Sequence, residues 1–513
     1  MVASPLFRVN GEPSSALGLS RGQVVLLALA MTVATLLRAY PYFGLAYPAG
    51  GDYGHHLHFA DGYRTTGHVP LVNEYFQRGL THWVVLPGAG MIYALLASFA
   101  GTSAFDVAPF TALTGGLECA GVFLLARRLF GRSDAAVLAA LISALFPAGP
   151  DMIAWAGYAN LLVIALLPFT LLSWLRYWDQ PSPSNLAITV VLVCGTAAIH
   201  HFSTLWLGLI LSTFTLVMGA AAPRASAGKI AVAVGVGIAM GLPVLSAALA
   251  LAAGANAAGV VLGANPRFEI TRIDWAHWDR IASTISLALL GGLFPILRRR
   301  FGAVADRRML LAHLGICALF GWGWLVGINF SYYRAVYFLG LPTALAGAAM
   351  VASSPRNART LLGGLLVVAL GLGTAFRLPG AIRYYSILTP DVVEGLAWLE
   401  RSSGPRDVVA VGSFLGFHAP RLLRRATIVA MPPHQVGNTE ELPLAADAMT
   451  VLSGAEGFDD ALDRQSVRWI VITANSGDTP QPKISLDALA TKTRVSEVFR
   501  NDGLVVFHVG ARQ

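Results

Sequence analysis

Six side chains able to bind a cation or move a proton crowd residues 48–70, PAGGDYGHHLHFADGYRTTGHVP: Asp52, Asp61, His55, His56, His58 and His68, with the cation Arg64 among them. If this stretch is helical, Asp52 and His56 stand four residues apart on one face, with Ala60 and Arg64 continuing the stripe. A carboxylate and an imidazole so placed can hold a divalent cation. The carboxylate can equally take the proton of an attacking hydroxyl. The same composition also suits an amphipathic interfacial helix with its histidines at headgroup depth.

Other residues able to do chemistry are scattered along the chain. Asp151 follows FPAGP at the start of an apolar run, where it can complete a metal site with Asp52 or cap a helix. His200 and His201 form a tight turn in AIHHFS. Arg334, in NFSYYRAVYFLGLP, can grip a phosphate through two N–H groups or reach out to the interface. Glu269 and Arg272 in RFEITR are able to join the same site. Glu118, in GGLECAG, lies in the middle of an apolar run, where an acid is a functional candidate unless a neighbouring helix satisfies it.

These residues are held by a greasy scaffold. The 513 residues are 55% hydrophobic and only 12% charged, with a mean hydropathy of +0.61, about half the charge of an ordinary soluble chain. Recurrent apolar runs predict a polytopic membrane protein. The net charge of +8 serves topology, and nucleic-acid binding is excluded as a reading. Cys119, Cys194 and Cys317 all fall in apolar runs and form neither a disulfide framework nor a zinc pattern. Arg8 and Arg21 precede the first span, which is read as retained, so the N-terminus is cytoplasmic and the loop at 41–106 lies outside.

Spans are expected at 22–40, 107–126, 134–148, 159–176, 186–201, 203–221, 229–250, 281–297, 308–327, 334–352 and 359–377. The apolar run 84–101, with Pro87, Gly88 and Gly90 at its start, is read as a juxtamembrane hairpin. Only then do ARRLFGR, RYWDQPSPSN, PRASAGK, RRRFGAVADRR and PRNAR all face the cytoplasm. The fold expected is therefore a polytopic α-helical membrane protein of about 11 transmembrane helices, with the C-terminus outside. Its parts are a cytoplasmic N-terminus at 1–21, a transmembrane domain at 22–379 and a soluble extracytoplasmic α/β domain at 380–513. In that last part PDVVEGLAWLERS reads as an amphipathic helix, and RDVVAVGS, RATIVAM, VRWIVITA and LVVFHVG as strands.

Taken together, the pattern resembles the GT-C glycosyltransferases: protein O-mannosyltransferases, oligosaccharyltransferase catalytic subunits and actinobacterial envelope glycosyltransferases. The shared features are an acidic residue in the first outer loop and a D-x-x-x-H-x-x-x-A…G-x-x-P run, here Asp52, His56, Ala60, Gly67 and Pro70. The hairpin before the second span, ARRLFGR at that span's inner end and a C-terminal extracytoplasmic domain are also similar. The resemblance implies an enzyme of the cell (inner) membrane. It would move a sugar from a polyprenyl-phosphate donor to a glycan, lipid or protein acceptor outside. It implies Asp52 as catalytic base or metal ligand with His56 beside it, and Asp151 as a second metal ligand. Arg334 would stand at the donor phosphate, with His55, His200, His201, Glu269 and Arg64 lining the substrate site. A divalent cation, magnesium or manganese, is the one cofactor it admits. The chain departs from the family in two ways. Asp52 is followed by Tyr53 rather than a second acid, and the WWDYG motif of oligosaccharyltransferases is absent, so peptide-sequon glycosylation is not expected. The alternatives are a transporter or flippase of lipid-linked glycans, which Glu118 favours, an O-antigen-ligase-type glycan ligase, and a scaffold role in an envelope complex.

Overall fold

A computed structural model of the chain describes residues 18–43, 45, 47–51, 53–67, 73–80, 88–146, 148–221, 226–238, 304–322, 337–431, 440–473 and 486–511. Helix α1 (Arg21–Ala39) is opened by a capping box, Ser20 accepting from the Gln23 amide while the Gln23 side chain accepts from the Ser20 amide. Helices α2 (Tyr53–Thr66), α3 (Gly88–Ala100) and α4 (Ala104–Val107) follow, and a 3-10 stretch leads α4 into α5 (Thr114–Phe130). Then come α6 (Ser133–Ala144), α7 (Ala148–Ala154), α8 (Tyr158–Asp179), α9 (Pro183–Ile199), α10 (His201–Ala221) and α11 (Ser226–Ile238). Helices α12 (Val304–Trp322), α13 (Gly340–Ser353) and α14 (Arg356–Tyr385) complete the bundle.

Five described helical stretches are long and apolar enough to cross a membrane: Arg21–Tyr42, Ala104–Phe130, Tyr158–Asp179, Ser203–Ala221 and a window within Arg356–Ser402. They carry large exposed apolar side chains, among them Val25, Leu36, Leu216, Leu365 and Phe376. That is where lipid would lie. The run read as a hairpin is the 13-residue helix α3, short of the roughly 20 residues a crossing needs. The expected span 134–148 breaks in two, since α6 stops at Ala144 and α7 begins at Ala148. The span expected at 281–297 lies outside the described residues. Helix α14 runs to Tyr385, past the domain boundary that composition suggested at 379, because RLPGAIRYY continues the helix through Pro379.

Helix α5 is the hub of the bundle, and its small residues explain why. A Cβ on Gly115 would lie 2.5 Å from the Ala34 carbonyl oxygen of α1, and one on Gly121 2.6 Å from Pro168 Cγ of α8. Backbones this close give the dense dispersion contact that holds helices together where water does not drive them. Between these glycines Glu118 is 5% exposed and paired with Arg38 of α1, itself 4% exposed. Arg38 also donates to Thr114 Oγ1 at 2.8 Å, and Ser143 of α6 donates to Glu118 at 2.8 Å. The mid-span acid of α5 is therefore neutralised from α1 and hydrogen-bonded from α6.

After α14 come α15 (Pro390–Ser402), capped by Thr389, and the sheet domain. It comprises β1 (Val408–Gly412), α16 (Ser413–Leu423), β2 (Ala426–Ala430), α17 (Glu441–Ser453), α18 (Phe458–Gln465), β3 (Val467–Thr473), α19 (Leu486–Ala490), β4 (Val495–Arg500) and β5 (Leu504–Val509). The sheet order is β2-β1-β3-β5-β4. The β2-β1-β3 half is parallel, and β5 joins it antiparallel to β3. The four strands expected from sequence are present. The fifth, β4, alternates weakly and was not anticipated.

The β2 edge is closed by the first long loop. Thr427 donates its amide to the Tyr75 carbonyl at 2.7 Å. The carboxamide of the fully buried Gln77 donates to the Val429 carbonyl at 3.1 Å and accepts from the Val429 amide at 3.0 Å. Gln77 and Arg78 sit at φ +47° and +54° to make this fit, a strained conformation held by its surroundings. An edge strand is thus covered from within the same chain. Gln77→Ala leaves both backbone groups of Val429 buried and unpaired, at a cost of about 1–3 kcal/mol. Amide exchange across residues 426–430 should speed at least fivefold by mass spectrometry, while α5 stays protected. Unchanged exchange in β2 would show that the loop does not hold the edge.

Candidate active site

The segment around Asp52 is shaped by close approaches at three glycines. Gly50 has φ +105°, and a Cβ there would lie 2.5 Å from Ala156 Cβ. Its amide donates to the Tyr385 carbonyl at 2.8 Å, and its carbonyl lies 2.9 Å from His418 Nε2. A Cβ on Gly51 would stand 3.2 Å from the rings of Phe414 and Phe417. One on Gly54 would collide with the Phe417 carbonyl and come within 2.8 Å of His418 Nδ1. The residues either side of Asp52 are therefore packed against the loop after α7 on one side and helix α16 of the sheet domain on the other. Asp52 itself lies outside the described residues.

Helix α2 forms as expected, with His56 in its first turns and Ala60 fully buried below it. His56 is half-buried, and loss of hydration pushes its imidazole down to about 4, so it is neutral at pH 7. Arg64 is exposed at the far end of α2, 3.9 Å from Asp61. The stripe from His56 to Arg64 spans two turns, about 12 Å, with Arg64 at its exposed end. His55 and Asp151 lie on α2 and α7, their side chains outside the described set. His200 supports the start of α10: its Nδ1 accepts from the Ser203 amide at 3.2 Å and lies 2.9 Å from Ser203 Oγ. The His201 side chain, Arg334 and Glu269 lie outside the described residues. Helix α7, which bears Asp151, rests on the buried ion pair, since a Cβ on Gly149 would stand 2.8 Å from the Arg38 guanidinium.

Residues the sequence did not single out complete the seam. His418 is 2% exposed and tilts onto Tyr53 with ring centroids 4.5 Å apart. Burial pushes its imidazole down to about 4; the Gly50 carbonyl opposes this and Arg421 reinforces it. Arg421 donates from Nε and Nη2 to Asp61 Oδ2 at 3.1 and 2.8 Å, and its guanidinium lies 5.6 Å from the Phe105 ring centre. The glycine spacing in GGDYG was a readable signal for close approach. Nothing in FHAPRLL announces that it meets α2, some 360 residues earlier.

Unfolded histidine takes its proton near 6.5, whereas folded His56 and His418 do so only near 4. Between these values the unfolded chain binds more protons. Stability is therefore complete above pH 6.5 and is lost as pH falls toward 4, by about 2 kcal/mol per group at pH 4.5. The melting temperature in nanodiscs should hold level from pH 8 to 7 and drop below 6.5, with a shallower slope in His418→Gln. Identical slopes in the two proteins would show that His418 is not buried neutral.

With this geometry established, the chain can be compared with known proteins. Residues 86–254 match the dolichyl-phosphate-mannose-protein mannosyltransferase family. Among curated proteins none matches significantly in sequence. The Archaeoglobus fulgidus oligosaccharyltransferase in its apo form superposes with a TM-score of 0.63 at 14% identity, over 88% of this chain and 69% of that one. ArnT from Cupriavidus metallidurans, bound to undecaprenyl phosphate, gives 0.54 at 16% identity over 96% of this chain and 100% of its own. The mycobacterial arabinofuranosyltransferase AftD gives 0.56 at 17%, over 96% of this chain and 42% of that longer one. In overall fold, and in the sequence of residues 86–254, the chain is similar to glycosyltransferases of the GT-C type.

Proposed function

We propose that the chain is a membrane glycosyltransferase that moves a sugar from a polyprenyl-phosphate donor to a hydroxyl of an extracytoplasmic glycan, lipid or protein. One observation carries this reading. In a fold shared with sugar transferases, the residues flanking Asp52 are gripped at once by the loop after α7 and by the sheet domain. A carboxylate at such a junction can meet a donor from the bilayer and an acceptor from outside. One of the similar structures, ArnT, holds undecaprenyl phosphate, and an archaeal oligosaccharyltransferase structure holds dolichol phosphate.

In this mechanism Asp52 accepts the proton of the acceptor hydroxyl as its oxygen bonds to the anomeric carbon. The carbon–oxygen bond to phosphate breaks, and polyprenyl phosphate leaves with the bonding electrons. Arg334 meets that phosphate as its charge develops. His56, neutral at pH 7, offers Asp52 a hydrogen-bond partner without competing for the proton. The N-terminus is cytoplasmic, and the site and sheet domain are extracytoplasmic in the inner membrane.

The same residues fit a divalent cation. A second oligosaccharyltransferase structure contains zinc and sulfate. Among the described residues no three His, Cys, Asp or Glu side chains converge. The contact between Gly50 and Ala156 nonetheless joins the segment that carries Asp52 to the loop just after α7, the helix that carries Asp151. Asp52 and Asp151, with His56 as a neutral nitrogen donor, would hold magnesium or manganese, which would offset charge on the departing phosphate. The transporter reading loses its main support, because Glu118 is paired with Arg38 and Ser143.

The test uses purified protein in nanodiscs with a panel of radiolabelled polyprenyl-phosphate sugars and crude envelope acceptor, with and without EDTA. Wild type should transfer label from at least one donor, and Asp52→Asn should lose 10²–10⁴-fold of the rate. EDTA should abolish transfer and manganese restore it. Normal transfer by Asp52→Asn would remove Asp52 from the chemistry. Consumption of no donor by wild type would remove the enzyme reading.

A further inference from the structure

The far end of the bundle carries positive charge that the proposed chemistry does not use. Helix α8 begins at Tyr158, whose ring stacks near Tyr53 of α2, and ends at Asp179. The rise from Tyr158 to Trp178 sets these two levels about 30 Å apart. Around Trp178 the last turns of α10 meet the first turns of α11 and α12. Lys229 of α11 donates to the Trp178 carbonyl, and its ammonium lies 5.1 Å from the centre of the Trp178 ring, a cation–π contact. The Trp178 ring meets Phe214 of α10 edge-on, with centroids 5.1 Å apart. One turn further along α10, the sulfur of Met218 accepts from Arg308 Nη1 of α12 at 3.3 Å. Lys229 and Arg308 therefore stand at the two ends of one line of packed side chains drawn from α8, α10, α11 and α12.

Neither cation is met there by an opposite charge. Lys229 has a carbonyl and a ring, and Arg308 a thioether, which is a weak acceptor. Among the described residues at this end the carboxylates are already taken, Asp134 by Arg132 and both Asp179 and Asp306 by Arg128. Lys229 and Arg308 are half-buried, and a charge drawn part-way out of water calls for a counter-charge. The surroundings say which kind of anion supplies it. Beside Met218, Leu216 is 71% exposed, and Val234 on α11 is 55% exposed. A water-soluble anion gains nothing from such surface, whereas acyl chains lie against it. A zwitterionic headgroup would bring a cation of its own, for which no described carboxylate here is free of an arginine.

We propose that the ends of α8, α10, α11 and α12 around Trp178 form a binding site for one anionic phospholipid, with its phosphate at Lys229 and Arg308 and its acyl chains along α10 and α11. Basic pockets between helices at the membrane surface take headgroups of this kind. Positive charge at one end of a bundle also orients it in the membrane, but any basic residue at that end serves that purpose, whereas this site needs these two. A headgroup bonded to both would tie α11 to α12, which the chain joins only through residues 239–303. The site lies far from Asp52 and stands whatever group is transferred there.

Native mass spectrometry of the full-length protein in detergent tests this, with phosphatidylglycerol and phosphatidylcholine of identical acyl chains titrated separately. Wild type should retain one phosphatidylglycerol about fivefold or more tightly than phosphatidylcholine. Lys229→Met and Arg308→Met should each weaken phosphatidylglycerol about fivefold and leave phosphatidylcholine within about twofold, while Lys229→Arg keeps wild-type affinity. Arg356→Met removes an exposed cation at the start of α14 and should change phosphatidylglycerol affinity less than about twofold. Equal retention of the two lipids by wild type overturns the proposal, and that comparison needs no variant to fold. An equal loss in the Lys229, Arg308 and Arg356 variants also overturns it, as the mark of a diffuse field rather than a site. So does full displacement of the lipid by glycerol 1-phosphate, which would make this a site for a soluble anion.

Discussion

The architecture depends on a steric condition at one short segment: residues 50, 51 and 54 must have no side chain. A methyl group at Gly54 would overlap the Phe417 carbonyl, and one at Gly50 would overlap Ala156. Because none is there, three parts of the chain that are remote in sequence close on a single point. They are the loop after α7, the end of α14 through the Tyr385 carbonyl, and helix α16 through Phe417 and His418. Helix α2 starts from that point with its direction already set. The remaining contacts of the seam, from the Arg421–Asp61 pair to the Tyr53–His418 ring contact, are possible only at this separation.

A second anchor works from below. Burying Arg38 and Glu118 in the bundle is expensive by itself, and removing one partner from such a pair leaves an uncompensated charge at about 3–5 kcal/mol. Its retention is easier to understand from what rests on it. Arg38 comes from the last turn of α1, Glu118 from α5 and Ser143 from α6, and Gly149 at the start of α7 closes over the guanidinium. The pair thereby fixes the level at which α7 begins, relative to α1, α5 and α6. Helix α7 and the segment at Gly50, which meets Ala156 just after it, are thus referred to one rigid frame.

Much of this was legible in the sequence where a pattern has a short physical range. Apolar runs marked the long helices, and Val- and Ile-rich runs marked β1, β2, β3 and β5. A four-residue spacing marked α2. What was not legible depends on contacts between residues hundreds of positions apart. Gln77 reads as an ordinary loop residue until it is seen clamping Val429. Arg38 reads as a basic residue inside the first span until Glu118 is placed beside it. Helical periodicity put Arg64 on the His56 stripe, and the structure places it two turns further along, at the exposed end. Periodicity gives azimuth and says nothing about which level of a helix faces a neighbour. Strand β4 was missed because its inward positions are only partly buried, which leaves little alternation to read.

The sheet domain is best understood as part of the site's construction. Its edge strand β2 is completed by residues 75–77 of the first long loop, and its helix α16 packs on α2 of the same loop. Two independent attachments to one loop leave the domain little freedom to move without carrying α2 with it. An appended module that only captured ligand would need one tether and an independent surface. This domain instead donates backbone hydrogen-bond partners inward and lends His418 and Arg421 to the seam with α2. The loop that carries Asp52 is therefore held from both ends by a folded sheet, and the groove between them is shaped jointly by segments that neither the bundle nor the sheet could supply alone.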